Sequence, residues 1–440
     1  MTEERTQRRS RRISRLWVVP PGLTASDEPF EGYRVLEEAG AGLGVPLWQF
    51  LRDVDLWSTT PPEARGRLFS AGMVRRRRAL LAQLGVRREL RLPLETIGQA
   101  LEGRTHGAGA QITRACETLS RWAGDHAMPR TALAFAQSAS LATPEQPGPA
   151  YMVGLLARRN AEYRRAETWF RRALGLARRS GDWRHYGLAC LGVGNLYRQR
   201  GDYPTARAWY GRALRVARRH ALWDVRPLAL HDLFCVSMNG ENGDTAEEWA
   251  QRAFKAYGPR HPRLVALAHD VARFWLDRRR FRPALQVFRA VLPHVSRIAE
   301  RRIVVANMAA AAAGMGDRLA FAAMWGETWR LVDEYEDTEG VPEALVGIAA
   351  GAAALGDPDR AQLAAGHAAT VARKRDEPEP RLAAERIIEA ARSVRVRARV
   401  PPPPPAEDDA EATPEALFAT ELAEALTLGV DPDPGEPVAD

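Results

Sequence analysis

Side chains that could do chemistry are few and far apart in this 440-residue chain. Cys116, Cys190 and Cys235 are its three cysteines, and none stands in a Cys-x-x-Cys or Cys/His spacing that would hold a metal. They read as buried, reduced thiols, with a reactive thiol or a metal site as the alternatives. The nine histidines are scattered. There is no Gly-x-x-x-x-Gly-Lys-Ser/Thr loop to cradle a phosphate, no Gly-x-Ser-x-Gly turn to present a nucleophile and no His-Glu-x-x-His pair. The adjacent acids Asp408 and Asp409 sit in a stretch where no core could tune their pKa values. The expectation is a protein that is not an enzyme and holds neither metal nor cofactor.

Arginine is what the chain has in quantity. Lysine and arginine together number 63 against 55 acids, a formal charge of +8, and only Lys255 and Lys374 are lysines. Residues 401–440 hold eleven acids and no base, which leaves +19 on residues 1–400. The preference for arginine is read as GC-rich coding rather than as a nucleic-acid signature, so nucleic acid is the less favoured partner. Guanidinium forks also take carboxylates in two-point contacts. What they bind then depends on the elements that aim them.

Those elements repeat. Val153-Gly154, Tyr163, Ala166, Phe170 and Ala173-Leu174 are followed 40 residues later by Val193-Gly194, Tyr203, Ala206, Tyr210 and Ala213-Leu214. Small Gly194 and Ala206 predict a close crossing of two antiparallel helices, where they should face each other. Bulky Tyr197 and Tyr210 fill the gaps. A single copy cannot bury its apolar faces, so copies must stack. An earlier copy runs from Cys116 to Ala139, turning at Gly124-Asp125, and a third from Leu230 to Phe254, turning at Asn242-Gly243-Asp244. A fourth carries Trp275, Phe281, Ala284 and Phe288. The fifth and sixth are alanine-rich and keep the turns Gly316-Asp317 and Gly356-Asp357.

This pattern resembles the tetratricopeptide repeat, in a form of about 40 residues where the usual unit has about 34. Kinesin light chains and bacterial peptide-sensing regulators have similarly long units. The resemblance implies an all-α fold: a TPR-like α-solenoid, a right-handed superhelix of antiparallel helix pairs. It also implies a concave groove lined by the first helix of each repeat. Carried onto the matching copies, the ligand-facing positions are Tyr151, Arg158 and Arg159, then Leu191, Asn195 and Arg198. In the third copy they are His231, Met238 and Asn239, and in the fourth His269 and Arg273. The Asn195 amide would hold a ligand backbone and the arginines a carboxylate. The lysine-plus-asparagine clamp of chaperone-binding members is not matched.

Four stretches are expected along the chain. Residues 1–28 read as a disordered basic tail, 29–105 as a helical region of no recognised family, 106–395 as the repeats, and 396–440 as a proline-rich, acidic, disordered tail. Within 29–105, Leu47, Phe50, Leu51, Val54 and Trp57 share one helical face. Thr60-Pro61-Pro62-Glu63 predicts a helix start. Arg75 to Arg78 span a full turn and cannot all face one groove. They predict a solvated or interface face whose replacement by Gln leaves stability within about 0.5 kcal/mol, with a phosphate-contacting helix as the alternative. No apolar run reaches membrane-spanning length, and Leu16-Trp17-Val18-Val19-Pro20 is too short for the core of a secretory signal. A cytoplasmic location without membrane contact is therefore expected.

In the tail, five prolines from Pro401 to Pro405 form a stiff spacer. Thr413-Pro414-Glu415 then starts a short helix carrying Phe418, Leu422, Ala425 and Leu426 on one face. An intramolecular contact is expected, with residues 413–428 in the basic groove until a partner displaces them. Phe418 and Leu422 would be the anchors, and Arg158, Arg159, Arg198 and Arg273 would meet the glutamates. A tail that only aids solubility is the alternative. The functional expectation is a non-enzymatic scaffold that binds a peptide or acidic protein segment in its groove. The alternative is a peptide-sensing transcriptional regulator whose basic N-terminal region contacts DNA.

Overall fold

The computed structural model describes residues 32–83, 88–103, 106–238, 243–333, 340–374, 377–396 and 413–429. Every regular element in them is helical. The basic stretch 1–28, Asn239, Asn242 and residues 401–409 lie outside the described residues. The chain divides into two compact units, one up to Val236 and one from Ser237 to Glu436.

The first unit holds α1 (Gly32–Thr59), α2 (Ala71–Gln83), α3 (Arg88–Leu101), α4 (Ala108–Asp125), α5 (Pro129–Ala142), α6 (Pro147–Arg159), α7 (Tyr163–Ser180), α8 (Trp183–Gln199), α9 (Tyr203–Arg219) and α10 (Val225–Ser237). From α4 onward the helices pair as α4 with α5, α6 with α7 and α8 with α9, and α6 also lies beside α8.

One turn recurs along the chain. At Gly201 the chain enters the left-handed region (φ 76°), and the next residue, Asp202, donates its N–H back to the Tyr197 carbonyl at 2.9 Å. This closes the C-terminus of α8. The Asp202 carboxylate then accepts from the Thr205 N–H at 3.1 Å and caps the N-terminus of α9. Gly-Asp is thus the end of one helix and the start of the next. Asp182, Asp317 and Asp357 repeat both halves of the arrangement. The first copy turns three residues later than Gly124-Asp125 suggests, at Ala127-Met128.

Close packing between helices rests on glycine against an aromatic ring. A Cβ placed on Gly154 would stand 2.7 Å from Phe170, and one on Gly194 would run into Tyr210. The ring of Tyr210 fills the notch at Gly194, and Ala206 is fully buried in the same helix pair. Gly192 also lies against the Phe170 ring, which thus contacts two successive first helices.

In α1 the face of Leu47, Phe50, Leu51, Val54 and Trp57 is buried as its spacing predicts. The helix breaks at Gly40 (φ 68°). Glu38, just before the break, reaches α5: its carboxylate accepts from the Arg130 N–H at 2.8 Å and from the Thr131 N–H at 2.7 Å. An acid at a helix N-terminus satisfies amides that Met128 and Pro129 cannot cap. Thr60-Pro61-Pro62-Glu63 opens only a 3-10 segment, Pro62–Arg67, with no buried residue. The Thr60 hydroxyl is spent on the Leu56 carbonyl at 2.7 Å, at the end of α1.

The arginine run is also corrected. Arg75, Arg76 and Arg78 are exposed, but Arg77 is buried. It pairs with Asp53 at 2.7 Å and Glu102 at 3.5 Å, and its guanidinium lies 4.6 Å from the Phe69 ring centre. A buried guanidinium needs such partners.

The second unit holds α11 (Gly243–Tyr257), α12 (Leu264–Asp277), α13 (Phe281–Val291), α14 (Ile298–Gly314), α15 (Arg318–Asp333), α16 (Val341–Ala354), α17 (Pro358–Lys374), α18 (Pro378–Val396) and α19 (Pro414–Thr427). Alanine is prominent in the core here: it makes up most of what α17 buries and half of what α14 buries. Gly314 meets Phe281, and Gly351 meets Phe321, so the same packing device persists. Helix α19 lies against α13 and touches α12. Phe418 and Leu422 are buried there. The Phe418 ring is 5.7 Å from Phe254 and 5.9 Å from Trp275. The nearest base to Glu415 is Arg280, at 3.6 Å. Arg273, expected to meet a tail glutamate, pairs instead with Asp277 on its own helix. Among the described residues, no helix is long and apolar enough to cross a membrane.

Candidate ligand-binding site

Arg158 on α6 and Arg198 on α8 hold the same position in successive copies, and packing brings both to one polar cluster. They share the field of a single carboxylate, Asp232 on α10, and of one hydroxyl, Tyr210 on α9. That hydroxyl donates to the Asn195 Oδ1 at 2.9 Å and accepts from Arg198. Burial raises the Tyr210 pKa, and the Asp232 charge adds to the shift.

The two guanidiniums differ. Burial dominates at Arg158, which is 5% exposed, and pulls its pKa down, with the Arg198 charge adding to the fall. At Arg198 burial works the same way, but Tyr210, Cys235 and Asp232 outweigh it and the pKa rises. A further negative group would be attracted by both guanidiniums. Tyr151, Asn195 and Arg198 are half-buried and define the open side of the cluster.

Towards α4 the face changes character. The Tyr151 ring packs 5.9 Å from Phe170 and 6.4 Å from His185. His185 is held by Asp182, Nδ1 to Oδ2 at 2.7 Å. Glu117 on α4 has its pKa raised by burial, against the pull of Arg121, His185 and Arg114.

Of the residues expected to face a ligand, Tyr151, Arg158, Asn195 and Arg198 come together here. Leu191 does not: it is 5% exposed and belongs to the core. His231 is buried with its ring stacked near Phe234, while Arg159 is exposed on α6. In the second unit, Met238 is half-buried, and His269 lies 5.8 Å from the Phe288 ring and 3.4 Å from the Asp270 carboxylate. Asn239 is outside the described residues. Sequence reasoning missed Asp232 and the polar role of Tyr210. A signal existed for the first: Met152 and Gly192 occupy the position of Asp232 in the two preceding copies, so its charge departs from the pattern.

Stacked antiparallel helix pairs with a polar face on the first helices define a helical-repeat protein. Residues 149–219 match the tetratricopeptide repeat family model, so that stretch carries tetratricopeptide repeats. No curated protein matches it in sequence. Among solved structures it is similar to BtubC (BKLC) from P. vanneervenii, with 17% identity over 52% of this chain and 92% of that one, TM-score 0.39. It is similar to yeast Tom70, with 14% identity over 86% and 85% of the two chains, TM-score 0.38. A third is the Rap conjugation gene regulator of the plasmid pLS20 in complex with the Phr* peptide, with 12% identity over 80% and 98%, TM-score 0.35.

Proposed function

We propose that the first unit is a non-enzymatic protein-interaction scaffold that takes a peptide or an acidic protein segment on the face of α6, α8 and α10. The observation that carries this is the sharing of Asp232 by Arg158 and Arg198. Two guanidiniums against one carboxylate leave a positive excess in a partly desolvated place, where a charge-assisted contact is strong. Asn195, oriented by Tyr210, has its amide N–H groups for a ligand carbonyl. The aromatic wall of Tyr151 would pack on an apolar ligand side chain.

A regulator that touches DNA through Arg75 to Arg78 gains no support, because Arg77 is committed to Asp53 and Arg78 lies 3.4 Å from Glu102.

The test is titration of a fluorescein-labelled, glutamate-rich 12-residue peptide into the full chain. Binding should weaken with salt and fall about tenfold in Arg198→Gln, the size of one charge-assisted hydrogen bond. Arg198 also donates to the Tyr210 hydroxyl, so the variant should melt somewhat lower, and binding is compared below its transition. A lysine-rich peptide that binds equally well, or an Arg198→Gln chain that binds unchanged, removes the reading.

A further inference from the structure

Helix α13 buries more of itself than two neighbours explain. Pro283, Ala284, Leu285, Val287, Phe288 and Val291 are all buried. At 100° per residue they sweep an arc of roughly 200°, where a helix packed on one side buries a stripe of about 100°. Helix α19 lies along α13. It fills a notch whose walls include Phe254 of α11 and Trp275 of α12, with Phe418 inserted between those rings.

The occupant is held mainly by apolar contact. Two of the five residues it buries, Ala419 and Ala425, are alanines; the others are Phe418, Leu422 and Leu426. Its described polar links to the unit are Gln286 to Thr420 at 3.2 Å and the long Arg280–Glu415 pair, whose arginine is half exposed. A 14-residue helix is marginal in water by itself, so α19 owes its fold to the notch. Sixteen residues separate Val396 from Thr413, five of them the run Pro401 to Pro405. At about 3.1 Å per residue they reach roughly 50 Å, far enough for α19 to leave and return.

We propose that the α11–α13 notch is a helix-docking site, that α19 is its resident, and that a partner's acidic amphipathic helix takes its place. The partner helix would carry an aromatic residue followed by leucines four and eight residues on, the spacing of Phe418, Leu422 and Leu426. Acidic residues on its first turn would meet Arg280, as Glu415 does. This surface lies in the second unit and is independent of the Arg158–Arg198 site. The tether holds α19 at about a millimolar effective concentration. A competitor therefore binds the closed chain about tenfold more weakly than the open one, if the resident's own dissociation constant is on the order of a tenth of that concentration.

The experiment uses the full chain and a fluorescein-labelled peptide of residues 411–430. Phe418→Asp opens the notch without altering its walls. The peptide should bind this chain about tenfold more tightly than the natural one, and Trp275→Ala in the opened chain should abolish the binding. Equal binding by the two chains overturns the proposal, as does loss of cooperative melting in Phe418→Asp, which would make α19 an integral part of the unit. A second form avoids any change in α19: a protease site placed within residues 403–410 of the full chain and then cut. The released α19 fragment should separate on dilution to low micromolar while the rest keeps its melt. Retention at nanomolar concentration overturns the exchange. A dimer of the natural chain that disappears with Phe418→Asp would assign the notch to a second copy and overturn the partner assignment.

Discussion

Arg77 donates through both Nε and Nη2 to one oxygen of Asp53, at 3.0 and 2.7 Å, from a side chain only 4% exposed. The contact ties α2 to α1, and Glu102 at the end of α3 completes it. Of four consecutive arginines, this one alone turns inward. Replacing Arg77 by Gln strands two carboxylates in a poorly solvated place and should cost about 3 kcal/mol. Arg75→Gln and Arg76→Gln should each change stability by less than about 0.5 kcal/mol. Chemical denaturation of the three variants separates an anchor from decoration; equal effects would refute it.

Gly194 and Tyr210 make a second pair whose geometry forbids change. The ring covers the place where a side chain would begin, and the Asn195 hydrogen bond stops the ring from swinging away. Gly194→Ala should therefore destabilise by about 1–2 kcal/mol, although alanine is the better helix former by about 1 kcal/mol. Tyr210→Leu vacates the space, so the double variant should lose less than the two single losses added together. Strict additivity in the melts would show that the two residues do not meet.

The repeat architecture was legible because it is written locally. A 40-residue period, small residues opposite large ones and the Gly-Asp turn each need only a few neighbouring positions to be seen. The period also makes Arg158 and Arg198 visible as equivalents. What was hidden depends on contacts between distant residues. Nothing near Glu38 announces that it will cap α5, 92 residues away, and nothing near Arg77 announces Asp53, 24 residues back. Leu191 fails as a site residue for a subtler reason. Its register passes through half-buried Tyr151 and buried His231, so the same line of the repeat shows a side chain in one copy and hides it in the next. A family pattern names the face, but the rotation of each helix decides which side chain shows.

The left-handed turn is not always given to glycine. Ala161 (φ 59°) and Arg279 (φ 62°) hold the place that Gly201 holds in its copy. An L-residue there costs roughly 1–2 kcal/mol. Glycine gives back part of that gain through the greater freedom of the unfolded chain, about 0.5–1 kcal/mol. Ala161→Gly and Arg279→Gly should each stabilise by about 0.5–1 kcal/mol, and Gly201→Ala should do the reverse. Both helix ends are exposed, so nothing else in the structure has to move. A melt lowered by Ala161→Gly would mean that strain is not what distinguishes these turns.

Acid should reveal the caps. Burial alone would raise the Asp182 pKa, but the His185 N–H, the His185 ring and Arg184 outweigh it and hold the carboxyl below its ordinary 3.8. A carboxyl depressed by folding contributes stability above its unfolded value and loses it as pH falls through the folded one. Asp182→Ala should therefore cost about 1 kcal/mol at pH 7, the worth of a helix cap. The deficit should shrink as the pH falls below 3.8 and on through the folded value. Glu117 has the opposite sign. Burial raises its pKa above 4.5, so its contribution is present below that value and lost as pH rises through the folded one. Glu117→Gln should stabilise at pH 7 and make no difference in acid. Urea melts of the three chains between pH 3 and pH 8 test both signs together. An Asp182→Ala deficit that persists unchanged at pH 3 would show that the cap acts through packing rather than through the charge of its carboxylate.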